Sequence, residues 1–239
     1  MKYWSLVVLV CLSFALTSIH AYAHIVDPKT GETFLYKAQL AEVAPVVDGV
    51  LDDPAWEKAE IAKMEWESLQ IRPWENIQDF EGQFAAVWKN NTLYIAVQIK
   101  DDQINIQDSK IQNKDTLDIY VDVENYNVRS DLYKNTIVVK ENKARIQSFW
   151  EPFVAWDNNG QTCEISFYLG NIIKKGVTIG FGIYYNDVDN GRQENQIGWA
   201  PERNPSGAKE QLGDLVFETN IKSDSKKLGT TWGNIKTLY

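Results

Sequence analysis

Short apolar segments alternate with polar turns along most of the chain, in the pattern of antiparallel β-strands. The segments "QFAAVW" and "LYIAVQI" are separated by "KNNT", so Asn90 and Asn91 supply the turn of a β-hairpin. The second segment is apolar at nearly every position, which predicts a strand covered on both faces. These two segments therefore predict the middle of a sheet.

The segment "DTLDIYVDVEN" predicts a strand with one apolar and one polar face. Its apolar positions are Leu117, Ile119, Val121 and Val123, and the positions between them are Asp118, Tyr120 and Asp122. Other strand-like segments are "NTIVVKE", "ARIQSFW", "TCEISFYL", "TIGFGIYYN" and "GDLVFE". Many short strands with short polar connections predict an all-β fold, an antiparallel, jelly-roll-like β-sandwich.

Helical features are confined to two places. In "DDPAWEKAEIAKM", Asp53 can cap a helix and Pro54 suits its first turn, so we expect a short helical insert in the sandwich. Near the C-terminus, four apolar residues are spaced like one face of a short helix. They are Leu228, Trp232, Ile235 and Leu238.

The first 23 residues have the features of a secretory signal peptide. Lys2 supplies the positive end, and the apolar segment from Leu6 to Leu16 is short for a membrane span. Small residues at Ala21 and Ala23 fit a cleavage site. The sequence therefore predicts an exported protein, periplasmic or extracellular, without membrane insertion.

The remaining chain is expected to hold one domain. Residues 24–40 form an N-terminal arm, and residues 41–219 carry the strand and turn signals of the sandwich. Residues 220–239 form a polar linker and a short C-terminal tail, which either docks on the domain or attaches it elsewhere.

Charge and cysteine content narrow the function. The formal net charge of −9 disfavours nucleic acid as a partner, because like charges repel. Beyond the predicted signal peptide the chain has one cysteine, Cys163, so it cannot form an internal disulfide. Cys163 lies in a strand-like segment and is expected to be a small buried apolar residue.

Four motifs in order resemble carbohydrate-binding module family 9. "PVVDGVLDDPAW" is similar to the opening of that family, and "AAVWKNNTLYIAVQIKDDQI" is similar to its central hairpin. "NKDTLDIYVDVEN" resembles its next, acid-rich strand. "TIGFGIYYNDVDNGRQENQIGWAP" and "GDLVF" resemble its closing strands. The resemblance implies a β-sandwich that binds saccharides, often at chain ends and sometimes with structural calcium.

The resemblance also implies site residues. Asp118 matches a carboxylate that accepts sugar hydroxyls, Lys134 a basic residue on the following strand, and Arg192 and Asn204 the loops beside the cleft. Charged groups form the stronger hydrogen bonds to hydroxyls. An alternative for the first two residues is a cross-strand ion pair between Asp118 and Lys134.

The family's best-known binding mode places a sugar between two tryptophans, and here the sequence departs from it. The matching positions fall near Gln112 and Ser206, and neither residue is aromatic. A sugar stacks on an aromatic ring through apolar contact, so other aromatic residues would have to replace the pair. Trp150 and Trp156, in the loop-like segment "FWEPFVAWDNNG", are the candidate ligand-stacking pair.

The acidic segments of the sequence bear on calcium binding and on catalysis. "DVDNG" resembles the start of an EF-hand loop, but its twelfth position is Gly198, where a bidentate glutamate is needed. Asp101 and Asp102 offer another acidic group. No cofactor is therefore expected, apart from a possible structural calcium. No carboxylate pair has a spacing that singles it out for glycoside hydrolysis.

The sequence thus predicts an exported, non-catalytic module that binds oligo- or polysaccharide, of a kind commonly joined to glycoside hydrolases. The alternative from another class is a structural or protein-interaction sandwich that has lost the sugar cleft, and a minor alternative is a glycosidase. The sequence leaves the sugar and the oligomeric state open.

Overall fold

The computed structural model describes residues 25–27, 30–68, 72–125, 132–146, 151–201 and 212–219. The predicted signal peptide and C-terminal tail lie outside the described residues. So do two of the candidate site residues, Trp150 and Asn204.

The described chain is built almost entirely of strands. The strands are, in chain order, β1 (Leu35–Leu40), β2 (Ile61–Met64), β3 (Trp66–Glu67), β4 (Arg72–Pro73), β5 (Phe80–Lys89), β6 (Thr92–Asp101), β7 (Thr116–Asp122), β8 (Leu132–Val138), β9 (Ala144–Ile146), β10 (Phe153–Trp156), β11 (Thr162–Tyr168), β12 (Thr178–Asp189), β13 (Arg192–Gly198) and β14 (Gly213–Glu218). One α-helical turn, α1 (Pro54–Glu57), and two 3₁₀ turns (Ile111–Asn113 and Gly170–Ile172) complete the described elements.

The strands form a β-sandwich from one hydrogen-bonded sheet that folds over on itself. The first layer runs in the order β10-β11-β6-β5, with β2 beside β5. The second layer runs β9-β8-β7-β12, and β13 and β14 pair with the other edge of β12. The layers are joined by β1, which pairs in parallel with both β14 and β5. The predicted all-β sandwich is confirmed.

The core lies between the layers because apolar and polar side chains alternate along the strands, as the sequence predicts. On β7, Leu117, Ile119 and Val121 are fully or almost fully buried in the main apolar cluster. On β6, Leu93 to Ile99 contribute every second residue to the same cluster. Phe181 and Ile183 of β12, which lies beside β7 in the second layer, belong to the same cluster. Burial of this alternating set is the main driving force for the fold.

Two hairpins have turns in the left-handed backbone conformation, and the first of them is the turn that the sequence predicts. Asn90 and Asn91 join β5 to β6 with φ of 48° and 65°. Asn190 and Gly191 join β12 to β13 with φ of 52° and 75°. Two consecutive positive φ values favour Asn and Gly, and the resulting turn matches the twist of the paired strands.

The segment that opens the family-like motif is anchored on one buried carboxylate. Glu164, on β11, accepts hydrogen bonds from the backbone N–H groups of Asp48 and Gly49, both at 3.0 Å. Its other oxygen accepts the Trp56 indole N–H at 2.8 Å. This anchoring holds α1 and Trp56 over the outer face of β5, so the motif "DGVLDDPAW" covers that face of the first layer.

Substituting Gly49 with alanine should destabilise the fold by about 2–3 kcal/mol, because the residue has a positive φ of 89°. An added Cβ would also lie 2.6 Å from the Trp156 backbone carbon. Chemical denaturation checks this, with Gly191→Ala as the control. Gly191 also has a positive φ, but nothing lies within 4 Å of its Cβ position. Equal losses for the two variants would contradict the packing argument.

The predicted short helical insert is present as the single turn α1, after which the chain continues into β2 from Ile61. The segment taken as a loop around Trp156 is instead strand β10, which pairs with β11. Cys163 is buried in the core as expected, and Trp56 and Trp199 are also buried, at 1% and 6% exposure.

Candidate functional site

The outer surface of the second layer carries a group of polar side chains. The residues on β7 that alternate with the core positions point to this surface, as do their cross-strand partners on β8 and β12. We call this group the polar face. Its members are Thr116, Asp118, Lys134, Thr136, Asn186, Gln193 and Gln196.

Asp118 is the anion of the polar face, and it is only 2% exposed. Its carboxylate accepts hydrogen bonds from the Thr136 hydroxyl at 2.6 Å and the Asn186 amide at 2.8 Å. Lys134 Nζ lies 2.8 Å from Oδ2 of the same carboxylate. A buried carboxylate with three such partners is a fixed acceptor in the middle of the surface.

Asn186 is the hub of the polar face. Its amide nitrogen donates to Thr116 Oγ1 at 3.0 Å and to Asp118 Oδ2 at 2.8 Å. Its amide oxygen accepts from Gln193 at 3.0 Å and from Gln196 at 2.9 Å. One side chain thereby joins residues of β7, β12 and β13.

Two tyrosines form the floor beside these polar groups. The Tyr184 ring lies over two glycines, since a Cβ on Gly182 would be 2.7 Å from that ring and one on Gly198 closer still. Tyr120 meets Tyr184 edge-on, with ring centroids 5.5 Å apart. Lys134 Nζ lies 5.2 Å from the Tyr120 ring centroid, a cation–π distance. Both rings are buried, and Tyr120 is the one that contacts Lys134.

Gln196 has unused hydrogen-bonding capacity. Its amide nitrogen donates to Asn186, but within the described part of the chain its buried Oε1 has no hydrogen-bond partner. The residue is 6% exposed. An unpaired buried acceptor costs about 1–3 kcal/mol, and a donor from a ligand would remove that cost.

The structure brings together some of the predicted site residues. Asp118 and Lys134 form the cross-strand ion pair that was the alternative to ligand binding, and both lie on the polar face. Arg192 is exposed at the tip of the β12–β13 hairpin, where it lines an open depression with Gln193. Asn204 lies outside the described residues.

Trp156 is not the exposed residue that the sequence suggested. It is 6% exposed, it packs in the main core, and it belongs to the first layer, away from the polar face. Because the segment forms a strand, alternation turns the ring inward. Trp150, the other half of the expected stacking pair, lies outside the described residues.

A second group of functional interest lies at one end of the sandwich. Asp101 ends β6, Asp115 immediately precedes β7 and Asp187 is near the end of β12. Each occupies a position with the same parity as the core residues of its strand, so all three carboxylates point between the layers. One oxygen from each lies within 4.8 Å of the others. We call Asp101, Asp115 and Asp187 the aspartate cluster.

The contacts of the aspartate cluster leave one acceptor unused. Asp115 accepts the Val188 backbone N–H at 2.8 Å and also that of Asn105. Asp101 accepts the Tyr185 hydroxyl. Asp187 is 1% exposed, and among the described residues its buried Oδ2 has no hydrogen-bond partner.

Burial and mutual repulsion raise the pKa values of this cluster. Burial raises the pKa of Asp187 to about 8, and the charges of Asp101, Asp79, Asp189 and Asp115 contribute to the same shift. The pKa of Asp115 rises to about 7, mainly through burial, although two backbone N–H groups oppose the shift. The pKa of Asp101 is also raised by burial. These carboxylates are therefore held near one another at a high electrostatic cost.

The cluster fits a hard divalent cation. It offers only oxygen ligands, it contains a buried and unpaired carboxylate oxygen, and its charge would be compensated by Ca²⁺. Asp101 was among the acidic residues that the sequence indicated, whereas Asp102 is exposed and outside the cluster. The sequence signal for the cluster is that each of the three aspartates stands an even number of residues from the core positions of its strand.

Among the described residues, no helix has the length and apolar character needed to cross a membrane.

The comparisons with known proteins agree with the fold and the family motifs. The family model described as "carbohydrate family 9 binding domain-like" matches residues 47–218, more than two thirds of the chain. No curated protein sequence matches the chain.

Two solved structures share the fold. A family 9 carbohydrate-binding module from Caldicellulosiruptor kristjanssonii in complex with cellotriose is 16% identical, with a TM-score of 0.64, and the alignment covers 82% of this chain and 100% of that chain. A module of the same family from that organism in complex with glucose is 18% identical, with a TM-score of 0.62, and the alignment covers 78% and 97%.

Proposed function

Because the chain belongs to the carbohydrate family 9 binding domain-like family, we propose that it is an exported, non-catalytic module that binds oligo- or polysaccharide on its polar face. Solved relatives of the same fold are described in complex with cellotriose and with glucose, which makes these two sugars the first probes. The predicted signal peptide supports export to the periplasm or the extracellular space.

The observation that carries the proposal is the composition of the polar face. A saccharide presents hydroxyl groups that both donate and accept hydrogen bonds. Asp118 is a fixed charged acceptor, Lys134 is a partly exposed charged donor, and Gln196 holds an unpaired acceptor within the described residues. Charge-assisted hydrogen bonds of this kind are stronger than neutral ones.

The hairpin beside the polar face extends the proposed site. Gln193 connects Asn186 to the depression that Arg192 lines. Arg192 is exposed and can donate to the hydroxyls of a longer oligosaccharide. We include Asn204 and Trp150 in the proposed site on the sequence argument alone.

Replacing Asn186 with alanine should weaken cellotriose binding at least about tenfold, because it removes the hub that positions Asp118 and Gln196. A loss of about 1.4 kcal/mol corresponds to that factor. Isothermal titration calorimetry of the full chain measures it. Ser166→Ala is the control, since Ser166 lies on β11 of the other layer. The site assignment would be wrong if the two variants bound cellotriose equally well.

A protein-interaction domain is the second candidate function. It is favoured by the buried Trp156 and by the three intramolecular partners of Asp118, which reduce the demand for a ligand. A glycan array separates the two candidates. Folded protein that binds no glycan on the array would support the interaction domain.

We also propose that the aspartate cluster holds a structural Ca²⁺. Asp101, Asp115 and Asp187 would supply carboxylate oxygens, and the ion would offset their repulsion. The bound ion would supply electrostatic stabilisation only, with no part in any reaction.

A further inference from the structure

The aspartate cluster and the polar face share the same two strand ends. Asp115 of the cluster is followed by Thr116 of the polar face. On β12, Asn186 of the polar face is followed by Asp187 of the cluster. Since successive side chains of a strand point to opposite faces, the two groups lie back to back on one layer of backbone.

Hydrogen bonds join the strand ends on both sides of this layer. Asn186 and Thr116 are the last paired residues of the β7–β12 ladder. On the outer side, the Asn186 amide donates to Thr116 Oγ1 at 3.0 Å. On the inner side, the Val188 N–H donates to Asp115 Oδ1 at 2.8 Å. Any force that separates Asp115 from Asp187 therefore also acts on the contact between Thr116 and Asn186.

The aspartate cluster is the source of such a force. Its three carboxylates have oxygens within 4.8 Å of one another, and Asp115 and Asp187 are buried while Asp101 is half-buried. When they are ionised and share no cation, their repulsion pushes the ends of β6, β7 and β12 apart. A bound divalent cation replaces this repulsion by attraction, because each carboxylate is then attracted to the same ion.

We propose that a divalent cation bound by the aspartate cluster fixes the geometry of the polar face, so that saccharide binding there depends on the cation. The dependence of saccharide binding on the cation rests on the proposed function, whereas the effect of the cation on the geometry of the polar face does not. The transmitting residue is Asn186, whose four hydrogen bonds hold the polar face together and whose neighbour Asp187 is in the cluster.

The coupling has a reciprocal consequence. If calcium raises the affinity for a saccharide by a given factor, the saccharide must raise the affinity for calcium by the same factor. Calcium that bound the cluster without affecting Asn186 would leave both affinities unchanged. The two affinities together therefore distinguish coupling from a purely local role of the ion.

The test uses the full-length protein with either CaCl₂ or EDTA. The first measurement is the rate at which the Asn186 side-chain amide protons exchange with water, observed by NMR. We expect exchange at least tenfold slower in CaCl₂, because both amide protons are then held by Thr116 and Asp118. The second is the Kd for cellotriose, which we expect to be at least tenfold lower in CaCl₂.

Two variants act as a matched pair. Asp187→Asn removes a charge from the cluster and should abolish the effect of calcium on Asn186. Asp102→Asn removes a charge from the exposed neighbour of Asp101, outside the cluster, and should keep the effect. Circular dichroism verifies that both variants are folded, and if Asp187→Asn does not fold, Asp101→Asn takes its place.

Each outcome decides a separate statement. Slower amide exchange in CaCl₂ supports the coupling whether or not cellotriose binds, and failure of cellotriose to bind counts only against the proposed function. Equal exchange rates in CaCl₂ and EDTA would overturn the inference, and so would the absence of any calcium binding by calorimetry.

Discussion

Saturating calcium should raise the midpoint of thermal unfolding of the cation-free protein by about 8–16 °C. A ligand present at a thousandfold excess over its Kd stabilises the folded state by about 4 kcal/mol, and each kcal/mol shifts the midpoint by about 2–4 °C in a domain of this size. The physical reason is the aspartate cluster, whose buried carboxylates repel one another until a cation offsets their charge.

Two variants test this prediction, and they should differ in how much calcium raises their unfolding midpoints. Above pH 8, where the cluster is ionised, Asp187→Asn should unfold at a higher temperature than the wild type in EDTA, because it removes one of the repelling charges. It should gain little from calcium. Asp102→Asn, outside the cluster, should behave like the wild type in both conditions. Differential scanning calorimetry in CaCl₂ and in EDTA provides all of these values. A wild-type unfolding midpoint that is the same in CaCl₂ and in EDTA would contradict calcium binding by the aspartate cluster.

In EDTA, the protein should become less stable as the pH rises from about 4 to about 8. The pKa values of Asp115 and Asp187 in the folded protein are about 7 and about 8, above the ordinary value of 3.8. Over this interval the folded state binds more protons than the unfolded state, so the free energy of unfolding falls with pH. The loss should amount to several kcal/mol, since each unit of pKa shift corresponds to about 1.4 kcal/mol, and it should level off above about pH 9.

Urea denaturation at several pH values measures this dependence. Calcium should remove most of it, because the cation takes over the role of the protons and binds more tightly as they leave. Asp187→Asn should show a shallower slope in EDTA than the wild type. A free energy of unfolding that rises between pH 5 and pH 8 in EDTA would contradict the assignment of these pKa values.

The fold was largely predictable because alternation is a local property of the sequence. On β7, strict alternation identified both the core residues and Asp118 on the opposite face. The two asparagines at 90 and 91 identified a hairpin because their backbone conformation suits few other residues. The length of α1 was not predictable, because its single turn ends where the chain must pair with β5.

The candidate site was only partly predictable. Asp118 and Lys134 were found through the resemblance, and their ion pair follows from adjacent strands. Asn186 was missed because its importance depends on contacts with Thr116 and Asp118 of β7, a strand that is distant from it in sequence. Trp156 was misjudged because the surrounding proline and turn residues suggested a loop, whereas pairing with β11 turns the ring into the core.

The aspartate cluster was predictable in part, because alternation along a strand gives the face to which each side chain points. Asp101 and Asp187 continue the inward face of their strands after the last inward apolar residue, and Asp115 does so before the first inward apolar residue of β7. Parity gives the face of each side chain. The meeting of the three at one end of the sandwich requires the strand order, which only the fold supplies.

The central claim is that this sandwich binds saccharide on its polar face. The most direct measurement is a calorimetric titration of the full-length protein with cellotriose in CaCl₂, beside Asn186→Ala. We expect saturable binding by the wild type and an at least tenfold higher Kd for Asn186→Ala. Folded wild-type protein that binds neither cellotriose nor any sugar of a glycan array would contradict it.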